Sequence, residues 1–64
     1  MDMQFFGYQH LKDETMRNVS KQFHDLAVRM SDMLPFNDEK EVMLRKLLEA
    51  KDCAVRALLS NKSF

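Results

Sequence analysis

Residues 38–60, DEKEVMLRKLLEAKDCAVRALLS, decide the fold, because their apolar side chains recur at helical spacing along two neighbouring rows. The Met43 row consists of Met43, Leu47, Ala50, Ala54 and Ala57. The Leu44 row consists of Leu44, Leu48, Val55 and one of Leu58 and Leu59. Two adjacent rows form an apolar surface that is wider than one partner helix covers. We therefore predict a helix over 38–60 whose apolar surface needs more than one neighbour.

A helix is also predicted over residues 13–34. Its apolar side chains follow steps of three and four, the spacing of a heptad repeat, at Met16, Val19, Phe23, Leu26, Met30 and Met33. Asp13 can accept hydrogen bonds from the amides of the first turn. Pro35 disfavours helical geometry at Leu34, so the helix is predicted to end there.

The connection between the two helices is short. Residues 36–37 form a turn, and Asp38 followed by Glu41 resembles a capping box that begins the second helix. Helices that are joined so closely lie antiparallel. The predicted fold is all-α: a short N-terminal arm over 1–12 and an antiparallel two-helix hairpin, in a single domain over 1–64.

Length and cysteine content limit both stability and function. The chain has 64 residues, and a core of this size rarely supplies more than about 3–5 kcal/mol. Cys53 is the single cysteine, so no intrachain disulfide adds to that stability. We therefore predict a homo-oligomer that closes around the second helix. The chain has little room for a catalytic cleft and no evident acid/base pair or His/Cys cluster, so we predict no enzyme activity, no cofactor and no metal.

Charge and hydropathy disfavour several further classes of protein: those that bind nucleic acids, span membranes or are secreted. Ten Lys and Arg balance ten Asp and Glu, and this balance disfavours general binding of DNA or RNA. The chain has no apolar run long enough for a membrane span, and its first residues lack the pattern of a secretory signal. A lone cysteine fits a reducing compartment. The expected location is the cytoplasm.

The N-terminal arm carries the first candidate binding residues. Gly7 and Tyr8 lie outside the helical pattern, where the Tyr8 ring could stack on a base and its hydroxyl could act as a polar group. The alternative is that Tyr8 only anchors the arm in a hydrophobic groove. Phe5 and Phe6 are predicted to hold the arm against the hairpin or a neighbouring chain.

The first helix carries a possible phosphate-binding face. Arg17, Lys21 and His24 share one side of this helix, and the two cations could hold phosphates. The alternative is a solvated face with ion pairs four residues apart: Asp13 with Arg17, and Asp25 with Arg29.

The second helix carries further cations. Arg45, Glu49, Asp52 and Arg56 form one row, whose simplest interpretation is a series of surface ion pairs. Cations of this helix, among them Lys46, could also converge into a basic pocket across a symmetry axis. Cys53 has no base at a suitable spacing, so we interpret it as a buried or half-buried structural residue.

The order of several short motifs resembles a known family. The stretch 26–59 contains the Leu-Pro ending of the first helix, a Glu-Lys pair soon after it, and the run KLLEAKDCAVRA at 46–57. Residues 7–14, GYQHLKDE, are similar to a Gly-Tyr-Arg-x-Leu-x-x-Glu opening, with Gln9 in place of the usual arginine. Together these motifs resemble the phage anti-CBASS cyclic-oligonucleotide sponges, whose hairpin domain is related to that of anti-Thoeris sponges.

The resemblance implies a function without catalysis. Members of that family are helical hairpins assembled into homohexamers, which bind cyclic dinucleotides and cyclic trinucleotides between subunits and leave them intact. The signal is thereby withheld from the host's antiphage effector. The resemblance assigns base stacking to Tyr8, next to Gly7. The family's phosphate-binding lysine falls at Phe23 here, with Lys21 and His24 beside it, and the cations proposed for a second pocket are Arg45, Lys46 and Arg56.

Two other functions remain open from the sequence. A helical hairpin with an uncovered apolar surface could instead be a protein–protein interaction module without a nucleotide ligand. A small nucleic-acid-binding regulator is a weaker alternative, because the net charge is zero.

Overall fold

A computed structural model describes residues 1–60, and the last four residues of the predicted domain, 61–64, lie outside the described part. The chain forms a 3-10 helix over Met3–Phe6, a long helix α1 over Glu14–Met33 and a second long helix α2 over Asp38–Ser60. No strand occurs within residues 1–60. The prediction of an all-helical chain with a helical hairpin is confirmed, while the 3-10 helix in the arm was not predicted.

The ends of α1 follow from local signals. The Asp13 carboxylate accepts a hydrogen bond from the backbone N–H of Met16 at 2.9 Å and thereby caps the first turn. At the other end, Leu34 has extended backbone geometry with φ −105° and ψ 144°, as expected before Pro35. The helix is thus one residue shorter at each end than the predicted range 13–34, because Asp13 and Leu34 are its capping residues.

The predicted cap of α2 is wrong by one residue. The side chain of Asn37, and not that of Asp38, accepts from the backbone N–H of Lys40 at 2.9 Å. Both residue types are good caps, so the choice depends on where the turn after Pro35 ends. The Glu41 carboxylate does not complete a capping box, because it binds the α-amino group of Met1 at 2.6 Å.

The core lies where the arm meets both helices. Phe6 of the arm, Ala27 of α1 and Leu44 of α2 are the buried apolar side chains within residues 1–60. Six half-buried apolar side chains surround them: Met1, Met3, Phe23, Met43, Leu47 and Leu48. The arm is therefore a third packing element, and the core is not formed by the hairpin alone.

The buried face of α1 differs from the predicted heptad row. Ser20 and Ala27 are the fully buried positions of this helix, whereas Met33 of the predicted row is 74% exposed. Small side chains lie at the buried positions because the arm and α2 both approach the helix there. The heptad row borders this face and remains half-buried along most of its length.

Two polar contacts attach the arm to α2, one in the first turn of the helix and one near its middle. The α-amino group of Met1 pairs with Glu41, and the Lys51 ammonium donates to the carbonyl oxygen of Phe5 at 2.6 Å. These two attachment points are about 15 Å apart along α2. Phe6 is buried as predicted, but Phe5 is 55% exposed, because the two neighbouring side chains point in different directions.

One apolar surface of the hairpin stays open. The Leu44 row supplies the buried Leu44, whereas the Met43 row borders a groove of about 400 Å3. The groove is lined by Leu26, Met30, Met43, Lys46, Leu47 and Ala50. We call it the apolar groove. Within the described residues, no helix combines the length and apolarity needed to cross a membrane.

Candidate functional site

Tyr8 lies at the junction of the arm and α1, beside a cavity of about 370 Å3 that is open to solvent. Its ring meets the His24 ring edge to face, with 5.2 Å between the ring centroids and 63° between the ring planes. The cavity is lined by Met3, Gln4, Gly7, Gln9, His10 and His24, together with Tyr8. We call this the Tyr8 cavity. Contact with His24 restricts the Tyr8 ring to one part of the surface.

Gly7 allows the chain to turn tightly before Tyr8. Its backbone N–H donates to the carbonyl oxygen of Gln4 at 2.9 Å. A Cβ atom at position 7 would lie 3.1 Å from that same oxygen, which is closer than ordinary van der Waals contact. A second turn follows, in which Leu11 N–H donates to the carbonyl oxygen of Tyr8 at 3.1 Å. Tyr8 is thus held between two hydrogen-bonded turns.

A charged cluster on α1 adjoins the Tyr8 ring. The Lys21 ammonium lies 6.0 Å from the ring centroid of Tyr8 and donates to the Asp25 carboxylate at 2.7 Å. The other oxygen of Asp25 lies 3.1 Å from Nδ1 of His24. Asp25 therefore orients both a cation and an imidazole beside the cavity.

These contacts shift two ionisation equilibria in opposite directions. The hydrogen bond to Asp25, followed by the charge of Asp25, raises the pKa of Lys21 above its ordinary value of 10.5. The hydrogen bond from Lys21, followed by that from His24, lowers the pKa of Asp25 below its ordinary value of 3.8. Lys21 therefore keeps its positive charge throughout the neutral range.

The sign of these shifts predicts a pH dependence of stability. The ionised Asp25 stabilises the fold above pH 3.8, and this contribution is lost as the pH falls through its lowered pKa. The charged Lys21 contributes below pH 10.5, and its contribution is lost as the pH rises through its raised pKa. We expect Asp25→Asn to lower the melting temperature slightly at neutral pH and to have progressively less effect at both extremes. Thermal unfolding of both proteins across pH checks this, and an unchanged difference in strong acid would contradict it.

Arg17 has a structural contact and does not face the Tyr8 cavity. Its guanidinium donates to the carbonyl oxygen of Leu11 at 2.8 Å and so fixes the end of the arm to α1. The predicted pair with Asp13 does not form, because the Asp13 carboxylate caps the helix. The predicted pair of Asp25 with Arg29 is likewise replaced by the pair with Lys21.

The three cations proposed on α2 do not converge within one chain. Arg56 lines a cavity of about 200 Å3, Lys46 borders the apolar groove, and Arg45 is exposed. The predicted series of ion pairs along this helix is not formed within residues 1–60. Arg56 donates instead to the sulfur of Cys53 at 3.3 Å. Cys53 is exposed, so its interpretation as a buried or half-buried residue is wrong.

Some residues that line the cavities were not predicted, because no pattern in the sequence marks them. The cavity beside Arg56 shares Gly7 and His10 with the Tyr8 cavity, and Ser20 and Lys51 also line it. Helical spacing does not identify these residues, because the arm brings α1 and α2 together there. We call the cavity beside Arg56 the Ser20 cavity.

Comparison with known proteins does not narrow the interpretation of this site. No family profile, curated protein or solved structure matches this chain. Within residues 1–60, no group of three or more His, Cys, Asp or Glu side chains is arranged to hold a metal ion. The interpretation of the site therefore depends on its own geometry.

Proposed function

We propose that the protein binds cyclic dinucleotides or cyclic trinucleotides without cleaving them, and so withholds the messenger from CBASS-type antiphage signalling in the host cytoplasm. The observation that carries the proposal is the Tyr8 cluster. An aromatic ring, an imidazole and a lysine lie together beside an open cavity. The resemblance of residues 7–14 and 26–59 to phage sponges supports the same ligand class.

The chemistry of the ligand fits this cluster. A cyclic oligonucleotide presents flat bases and two or three phosphates, which aromatic rings and cations recognise. Because Tyr8 is restricted by His24, less conformational freedom would be lost when a base stacks on it. Lys21 would supply a charge near the ring, although part of its hydrogen-bonding capacity is used by Asp25.

A single chain offers only part of the enclosure that such a ligand needs. The Tyr8 cavity measures about 370 Å3 and is open, and small-molecule sites commonly enclose more than two thirds of a drug-sized ligand. A second subunit would complete the site. Assembly is supported by the small core and by the open apolar groove. A hexamer is the number that the family resemblance implies.

Calorimetric titration with a panel of cyclic dinucleotides and trinucleotides tests the function. We expect at least one member to bind with a Kd below about 1 μM, equivalent to about −8.2 kcal/mol. Intact ligand should be recovered after the protein is denatured, because no hydrolysis takes place. The absence of binding across the panel, or recovery of a linear product, would contradict the proposal.

The apolar groove favours a second candidate function, in which the hairpin is an interaction module for another protein. The groove has a half-buried apolar floor, with Lys46 at its edge. In this case the chain would have no affinity for cyclic nucleotides, and changes at Tyr8 would leave its activity intact.

The oligomer predicted for the nucleotide-binding function can be tested at the groove. Ala50 is exposed in the single chain, so Ala50→Glu should leave the fold intact but place a charge where a neighbouring helix would pack. We expect native mass measurement to show an oligomer for the unchanged protein and a shift of at least tenfold in its dissociation constant for Ala50→Glu. Asn18→Glu adds the same group at an exposed position away from the groove and should have no effect. Equal masses for all three proteins would exclude assembly through the groove.

A further inference from the structure

One ion pair joins the arm to the hairpin. The α-amino group of Met1 lies 2.7 Å from Oε1 and 2.6 Å from Oε2 of Glu41, so both carboxylate oxygens accept from it. The other ion pairs among residues 1–60 lie within α1. The Met1–Glu41 pair is also the least exposed of them, with side-chain exposures of 13% and 33%. It therefore holds the start of the arm against α2.

This pair depends on the chemical form of the amine. In the structure the group is an ammonium, which offers three N–H donors and a positive charge. An acyl group on the nitrogen turns it into a neutral amide with one N–H, which reaches one carboxylate oxygen at most. A residue joined ahead of Met1 would have the same effect, because a peptide bond is also an amide.

The arm has little stability of its own. Its regular structure is a 3-10 helix of four residues, Met3–Phe6, and so short a helix does not persist in isolation. The arm keeps its conformation through contacts with the hairpin: the packing of Phe6, the hydrogen bond from Lys51 and the Met1–Glu41 pair. Loss of one of these three contacts should shift the arm towards release.

Both cavities near the arm exist only while the arm is docked. Apart from His24, every residue that lines the Tyr8 cavity belongs to the arm. The Ser20 cavity likewise contains Gly7, His10 and Leu11 of the arm. Release of the arm would therefore dismantle both cavities.

We infer that the α-amino group of Met1 is a modification-sensitive switch: the arm docks on α2 while the amine is free, and acylation of the amine releases the arm. The acyl donor would be a thioester. The unprotonated amine attacks the thioester carbonyl carbon, an N–C bond forms, the C–S bond breaks, and the displaced amine proton leaves with the thiolate. The reaction takes place while the arm is transiently open, and the amide then favours the open state. The inference does not rest on nucleotide binding.

Chemical synthesis of the 64-residue chain with a free or an acetylated α-amino group tests the inference. Amide hydrogen exchange is followed by NMR at Gly7, whose N–H donates to the carbonyl oxygen of Gln4. We expect acetylation to speed this exchange about five- to thirtyfold, between the effects of losing an exposed ion pair and a buried charge-assisted hydrogen bond. In the acetylated chain Gly7 should exchange faster than the middle of α2, because the arm opens while the hairpin stays folded.

A double-variant cycle assigns the effect to the ion pair. Glu41→Gln with a free amine should speed exchange at Gly7 by a similar factor, and acetylation should then add little, because the pair is already broken. Glu39→Gln makes the same change at an exposed position of α2 and should have no effect. Unchanged exchange at Gly7 on acetylation, a full effect of acetylation in Glu41→Gln, or equal rates at Gly7 and the middle of α2 in the acetylated chain would overturn the inference. No nucleotide is present in these measurements, so none of these results bears on the calorimetric test of the proposed function.

Discussion

Phe6→Ala is expected to remove the cooperative unfolding transition of the protein. Phe6 is 0% exposed and belongs to the small cluster that joins the arm to both helices. Truncating a buried phenylalanine to alanine costs about 3–5 kcal/mol, which equals the whole stability expected of a core of this size. Far-ultraviolet circular dichroism during heating should show partial helix at low temperature and a broad, early loss of signal.

The neighbouring phenylalanine offers a matched control. Phe5 is 55% exposed, so Phe5→Ala should change the free energy of unfolding by about 0.5 kcal/mol or less. The two variants remove the same side chain at adjacent positions, so a difference between them reports burial and not composition. If Phe6→Ala melts like Phe5→Ala, the arm is not part of the core.

Tyr8→Ala should abolish most of the affinity for cyclic oligonucleotides while the fold remains intact. Loss of a stacking ring costs about 1–3 kcal/mol per base, which corresponds to roughly 5- to 150-fold in Kd. Tyr8 lies outside the core cluster, so its truncation should leave the cooperative melting transition in place. Calorimetric titration and thermal unfolding of the same preparation measure both quantities.

Tyr8→Phe separates the ring from its hydroxyl. This variant keeps the stacking surface and the edge contact with His24, so we expect most of the affinity to be retained. A loss as large as that of Tyr8→Ala would assign the binding energy to the hydroxyl and not to stacking. Unchanged affinity in Tyr8→Ala would remove Tyr8 from the site and favour the interaction-module function.

The helices could be predicted because their signals are local. Asp13 caps α1 and Pro35 ends it through contacts within a few residues. The cap of α2 was misplaced because Asn37 and Asp38 are neighbours with almost equal capping preference. The burial of Ser20 and Ala27 was missed because it depends on an arm that is distant in sequence and docks beside them.

The candidate site was predictable only in part. Tyr8 and Gly7 were identified because they lie outside any helical repeat, and the structure brings them together with His24. None of the ion pairs predicted from spacing forms within the described residues, because exposed pairs contribute little energy and other acceptors compete for the same cations. Lys51 could not be identified as part of the site, because its place there depends on the carbonyl oxygen of Phe5, 46 residues away in the chain.

The attachment of the arm to α2 has a consequence for the order of folding. Its two polar contacts join residues that are 40 and 46 positions apart, and closing such long loops is slow compared with forming a helix. The hairpin should therefore form first and the arm should dock last, which is measurable as faster hydrogen exchange at Gly7 N–H than in the middle of α2. During synthesis, the carbonyl oxygen of Phe5 would lack its Lys51 donor until that lysine had left the ribosome. The N-terminal residues are therefore made first but reach their final position last.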